Sequence, residues 1–198
     1  MRVAIVGGTG AFGLALARRL VEAGDEVMIG SRDPERAQEK AGEAGAAAGA
    51  ANEEAVRGVD LIVLATKADG TLPTAAALAE AIGSTPVLSV ASDLRSTDSL
   101  SLAQRTQDLL RAPVAAGLHS LAAGKLTRGR PDEDAFVCGD DMEAKGLALA
   151  LAAKVVAGRA LDAGPLASAR ALEAMTAVIV NLNKRYKGHA GIRVTGLP

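Results

Sequence analysis

The sequence predicts an α/β chain: a doubly wound, mostly parallel sheet with a small C-terminal helical cap. Short apolar runs alternate with Ala-rich stretches of helical length, and these runs are continuous in the manner of strands covered on both faces. A glycine-rich turn follows the first run and directly precedes the first helix.

The elements follow in order. RVAIVG is the first strand, 11 to 23 the first helix, EVMIG at 26 to 30 the second strand, and 33 to 44 the second helix. AGEAGAAAGAA at 41 to 51 has little period, because alanine suits either element, and a third strand is placed there by topology alone. VDLIVLAT at 59 to 66, TPVLSVA at 85 to 91 and APVAAGL at 112 to 118 are further strands, separated by helices over 71 to 82 and 98 to 111. The polar loop TRGRPDED leads to the strand AFVCG, the acid-started helix DDMEAKGLALALAAKVV and the short strand RALDAG. PLASARALEAMTAVIVNLNKRY then reads as one long helix with Pro165 near its start and apolar residues at 172, 175, 178, 179 and 182. That face suits a partner subunit, a cleft or the core. No internal repeat is present.

With 198 residues and 49% hydrophobic content, the chain holds one well-buried globular unit and is too short for two ordinary ones. Its 22 Lys and Arg against 23 Asp and Glu give no field that would steer nucleic acid or an acidic membrane, so any anion site is local. Two Phe, one Tyr and no Trp leave single-stranded nucleic acid without stacking platforms. Cys138 alone forms no intrachain disulfide, and with only His119 and His189 no metal site is expected. MRVAIVGGTG is too short a run for a signal peptide and no later apolar stretch reaches spanning length without a charge, so no membrane partner is expected and a reducing cytoplasm fits.

VAIVGGTGAFGLALARRL carries Gly8, Gly10 and Gly13 in the GxGxxG spacing. The first glycine permits a tight turn, the second lets backbone approach a pyrophosphate, and the third lets the helix pack on the strand, with the pyrophosphate at the helix N-terminus. In this βαβ context the motif marks a Rossmann dinucleotide-binding fold. Gly7, Gly10 and Gly13 also satisfy GxxGxxG, similar to short-chain dehydrogenases, but that mechanism needs Lys four residues after Tyr. The only tyrosine is Tyr186 and position 190 is Ala, which excludes it. GLHSLAAGKLT imitates a phosphate loop, yet six residues separate Gly117 from Gly124 and Leu126 follows Lys125, so a nucleotide triphosphatase is excluded.

At the end of the second strand, where a carboxylate would accept from both ribose hydroxyls of NAD, this chain has Gly30, Ser31 and Arg32, with Arg36 one helical turn on. Guanidinium groups and a hydroxyl there select the 2′-phosphate of NADP(H). Asp33 is expected to cap the helix that Pro34 begins.

Acid–base candidates are few. A carbonyl reductase must protonate a developing alkoxide, and only His119, just after APVAAGL at the carboxyl edge of the sheet, stands where it could. A histidine bonded to loop backbone is the other reading, and Lys67 after VLAT suits phosphate or solvent. A flavin or deazaflavin takes hydride into its own ring and needs no strong acid, and the scarcity of such groups leans that way.

MRVAIVGGTGAFG with IGSRDPERA, LHSLAAGKL, VCGDDMEAK and LDAGPLASARALEAMTAVIVNLNKRYKGHAGIRVTG together resemble the NADPH-dependent F420 reductase (F420:NADP oxidoreductase) family over nearly the whole chain. The resemblance implies direct hydride passage between NADP(H) and the deazaflavin coenzyme F420, in a homodimer. It divides the chain into an NADP-binding domain at 1–163 and a helix and tail at 164–198 that close the cleft and meet the second subunit. By position it implies that Gly8, Thr9, Gly10, Ala11, Phe12 and Gly13 hold the pyrophosphate and Ser31, Arg32 and Arg36 the 2′-phosphate. Thr66 and Ala123 fall on the coenzyme, while His119, Leu121 and Thr176 line the deazaflavin pocket, His119 as the catalytic candidate. The chain departs from the family in having Thr66, Lys67 and Ala68 where a proline is common, SVASDLRS where a proline-containing turn is common, and Ala174 where some members have serine. Basic Lys184, Arg185, Lys187 and Arg193 suit either an acidic coenzyme tail or plain solvation. The competing readings are an NADPH reductase of a flavin or metal complex and a non-catalytic module that senses NADP(H).

Overall fold

Eight strands form one sheet in the order β3-β2-β1-β4-β5-β6-β7-β8, in a computed structural model that describes residues 1 to 197. Position 198, the end of the expected C-terminal segment, lies outside the described residues. The elements are β1 (Arg2–Val6), α1 (Ala11–Glu22), β2 (Glu26–Ser31), α2 (Pro34–Ala44), β3 (Ala48–Ala51), α3 (Asn52–Ala55), β4 (Leu61–Leu64), α4 (Ala68–Ile82), β5 (Val87–Ser89), α5 (Leu102–Gln107), β6 (Val114–Gly117), α6 (Ala123–Arg128), β7 (Ala135–Gly139), α7 (Met142–Val155), β8 (Ala160–Asp162) and α8 (Ala169–Tyr186), the last preceded by a 3₁₀ turn at Leu166–Ser168. β1 to β6 are parallel, β7 runs antiparallel to β6, and β8 runs parallel to β7.

Burial explains the continuous apolar strands. Val3 to Val6 and Leu61 to Leu64 are fully buried, and alternate residues of each strand serve opposite cores. Val3, Ile5, Leu61 and Val63 pack with residues of α1, α2, α6 and α7. Ala4, Val6, Ile62 and Leu64 pack with α4, α5 and the start of α8 through Ala75, Leu78, Ala103, Ala169 and Leu172. The sheet is therefore covered on both faces, as a doubly wound fold requires.

Several elements differ from the sequence expectation. The helix over 98 to 111 contracts to Leu102–Gln107 because a capping box at Ser101 and Gln104 starts it late. Gln107 then ends it by donating to the Leu110 and Ala112 carbonyls and accepting from Val114 N. The short helices α3 and α6 are not foreseen in the sequence. The third strand forms where alanine gives no period because α2 lies directly on it: a side chain at Gly49 would collide with the Ala37 carbonyl. Among the described residues, no helix is long and apolar enough to cross a membrane.

The topology sets where ligands can go. The chain steps from β1 outward to β2 and β3, then returns to β4 on the other side of β1, which opens a crevice above the carboxyl ends of these strands. Because β7 is antiparallel, its beginning lies at that same edge. α8 starts at the opposite edge, where Leu166 N donates to Asp140 (2.9 Å), and climbs to the carboxyl edge of β6.

Candidate functional site

The glycine turn is built by contacts that no side chain would permit. Gly7 takes the left-handed conformation (φ 80°), and a Cβ there would lie 2.9 Å from the Ala65 carbonyl oxygen. This corrects the role expected for Gly8, which has no positive φ. Gly8 is instead constrained by space: its Cβ would lie 2.8 Å from the Ile5 oxygen and 2.9 Å from Ile29. Gly13 presses α1 onto the turn, with its Cβ position 2.8 Å from Gly7 O and Gly8 Cα, as the third glycine of the motif should. Gly7 N and Gly8 N both donate to the Gly30 carbonyl (3.1 and 3.2 Å), which fixes the turn to the end of β2. Gly10 is exposed, and α1 begins at Ala11 and Phe12 with no side-chain cap. That leaves its first N–H groups and positive dipole end directed outward beside Thr9, the arrangement that holds a pyrophosphate. Thr66 adjoins this turn through its backbone, while its hydroxyl pairs with Thr71 of α4 at 2.9 Å.

At the end of β2, Ser31 is half-buried and its Oγ accepts from Asp33 N (3.2 Å). Asp33 caps α2 as the sequence predicts, accepting from Arg36 N (3.1 Å) ahead of Pro34. The Arg32 and Arg36 side chains are exposed, and no ion pair among the described residues takes either guanidinium. A neutral hydroxyl and two uncommitted cations thus border the dinucleotide turn, a donor set that fits a phosphate ester.

The other end of the crevice carries the second cluster. Leu118 adopts φ 64°, unusual for a buried leucine, and this bend follows β6 directly. His119 comes next, 7% exposed, with neither ring nitrogen hydrogen-bonded. Burial lowers its pKa to about 4; the Ala91 backbone opposes that shift without completing a hydrogen bond. At neutral pH the imidazole is uncharged. The His119 carbonyl accepts from Thr176 Oγ1 of α8 (2.9 Å), and the same Thr176 oxygen lies 2.8 Å from Ser92 Oγ in the segment after β5. Leu121 is buried in the core shared with α1 and α7, and Ala123 opens α6 half-buried. His119 and Thr176, distant in sequence, therefore meet directly. Ser92 was not foreseen as a site residue; no short-range pattern marks it. Among the described residues, no group of three or more His, Cys, Asp or Glu side chains could hold a metal.

Residues 2–93 match the family model described as NADP oxidoreductase coenzyme F420-dependent. The whole chain is 35% identical to the F420-dependent NADP reductase of Methanothermobacter thermautotrophicus, covering 96% of that protein. The chain belongs to the F420-dependent NADP reductase family. The family relative from Methanocaldococcus jannaschii is 33% identical over the full chain and 99% of its own length. Among solved structures, a proposed F420-dependent NADP-reductase of Arthrobacter sp. FB24 superposes with a TM-score of 0.87 at 24% identity, covering 99% of this chain and 100% of that one, which shows the shared fold.

Family membership extends over both halves of the crevice, whereas the family model itself ends at residue 93, before His119 and Thr176. The glycine turn and the Ser31–Arg36 segment fall inside the matched region. The cluster of His119, Thr176 and Ser92 lies within the span that the full-length relatives cover or, for Ser92, at the end of the matched region.

Proposed function

We propose that the protein transfers hydride directly between NADP(H) and the deazaflavin coenzyme F420. The observation that carries this reading is the pairing, along one sheet edge, of a dinucleotide turn flanked by Arg32 and Arg36 with a buried cluster that holds no ready proton. NADP(H) would supply or receive the hydride, and a deazaflavin ring needs no strong acid to accept it. The α1 N-terminus with Gly8, Thr9, Gly10, Ala11, Phe12 and Gly13 would hold the pyrophosphate. Ser31, Arg32 and Arg36 would hold the 2′-phosphate. Thr66 would bound the coenzyme through its backbone and Ala123 would face its nicotinamide end.

On the acceptor side, His119, Leu121 and Thr176 would form the wall that orients the second ring. His119 is too weak a base to be protonated near neutrality, so its part is that of a neutral hydrogen-bonding group touching the acceptor, and orientation of two rings supplies most of the rate. The segment 164–198, α8 and tail, would close this side, and a second copy of the chain would cover the outer face of α8 in a homodimer. The compartment proposed is the cytoplasm, where both small-molecule coenzymes are available in solution.

Mixing the pure protein with NADPH and F420 and following the deazaflavin absorbance tests the proposal. Bleaching is the expected result. Bleaching with a flavin but none with F420 would replace it with a flavin reductase.

A further inference from the structure

The hydroxyl chain at the acceptor end has a fixed direction. A carbonyl oxygen only accepts, so the Thr176 hydroxyl donates its single proton to His119 O (2.9 Å). The 2.8 Å contact between Thr176 Oγ1 and Ser92 Oγ must then use the Ser92 proton, because Thr176 has none left. Ser92 is consequently a donor inward and carries its accepting lone pairs outward. Its residue is half-buried, and no other hydrogen bond among the described residues reaches its oxygen.

The elements on both sides hold this arrangement in place. One turn before Thr176, buried Glu173 accepts from Ala103 N of α5 (3.3 Å), which docks α8 on that helix. Arg105 of α5 reaches Ser96 Oγ (3.2 Å) and lies 3.7 Å from Asp93, and so fixes the segment that begins with Ser92. The His119 ring lies against the backbone of Ala91, the residue before Ser92, and completes the cluster.

We propose that Ser92 is a specificity contact for the hydride-accepting partner: its Oγ accepts a hydrogen bond from a neutral N–H or O–H on that molecule, and Thr176 acts as the positioning residue that turns the serine proton away. The inference rests on the proposed function and assigns a polarity to its acceptor pocket. An acceptor with only a carbonyl at that position would meet lone pairs and be disfavoured.

Calorimetry with F420 and, separately, with NADPH tests it, on wild type and on Ser92→Ala, Thr176→Val and Thr176→Ser, each with its melting temperature. One neutral hydrogen bond predicts that Ser92→Ala binds F420 about fivefold more weakly, with NADPH affinity unchanged and only a small fall in melting temperature from the lost contact to Thr176. Thr176→Val should weaken F420 binding by a smaller factor, since Ser92 remains but can rotate, and Thr176→Ser should recover most of that loss. Unchanged F420 affinity in Ser92→Ala would overturn the assignment while leaving the proposed function standing. A fall in melting temperature with no selective loss of F420 would reduce Ser92 to a structural tie and overturn it equally. Absence of F420 binding by the wild type would overturn both.

Discussion

Arg32 and Arg36 flank Asp33, whose Oδ1 accepts from Arg36 N in the first turn of α2. One oxygen of that carboxylate is thus committed to the positive end of the helix, and two exposed guanidinium groups border the proposed 2′-phosphate site. Charge-assisted bonds contribute roughly 1.5 to 3 kcal/mol each, so Arg32→Ala should weaken NADPH binding by about tenfold or more and leave NADH nearly unchanged. Calorimetry with both coenzymes checks this, and equal losses would rule out the 2′-phosphate site. His119 gives a second residue-scale prediction. Its folded pKa of about 4 lies below the usual value near 6.5, so between these values the unfolded chain binds more protons than the folded one. Stability should therefore fall as pH drops from about 6.5 to 4, by about 3 kcal/mol in total from this group, and no further below that. Urea unfolding at a series of pH values should show a flatter profile for His119→Gln; coincident profiles would show that the ring is not buried neutral.

At the scale of elements, what the sequence reveals depends on the range of the interactions that make each element. The glycine turn and the capped start of α2 are local, so their residues announce them, although the left-handed position falls to Gly7 rather than Gly8. β3 is legible only through topology and α6 not at all: the first is an alanine strand defined by α2 pressing on Gly49, the second a short helix packed by buried Leu126 into the core that α1 shares. The Ser92–Thr176 contact spans 84 positions and arises only once α8 is docked. The C-terminal tail is also set by distant partners. Asp134, whose side chain is fully covered by Arg159 and the tail, accepts from Arg159 Nη2 (2.7 Å) and Val194 N (2.8 Å), while Asp134 N donates to Ile192 O (2.8 Å). Buried Glu133 pairs with Lys125 of α6 beside Gly191. The Arg159 bond holds the Asp134 carboxyl below the usual carboxylate range. Its stabilisation is full above about pH 4 and is lost as pH falls through the lower folded value. Asp134→Asn should therefore release residues 190 to 195 at neutral pH, where limited proteolysis would cut the variant within the tail and spare the wild type. Equal protection would mean the strap is held by other contacts.

For the whole molecule, the question is what covers α8. Its inner side is committed: Leu172, Glu173 and Ile179 are buried against the body of the fold. Of the apolar positions read from the sequence, Val178 and Leu182 face outward instead, 57% and 41% exposed, and Tyr186 continues the row at 71%. These three recur at i, i+4 and i+8, one stripe along the helix, with exposed Ala171 and Ala174 leading into it. An uncovered row of this kind on an 18-residue helix is suited to a copy of itself, because a two-fold axis places the same stripe on both sides of the interface. The formal charge of −1 offers little long-range repulsion between two copies. Charges placed on the stripe should separate them: Val178→Lys with Leu182→Lys is expected to shift the protein from dimer to monomer in light scattering after size exclusion. The substitutions lie on the side of the helix opposite buried Glu173 and far from the β1–α1 turn, so NADPH binding there should persist in the monomer. A wild type that elutes as a monomer at micromolar concentration would defeat the homodimer, and the stripe would then belong to a cleft wall or a different partner.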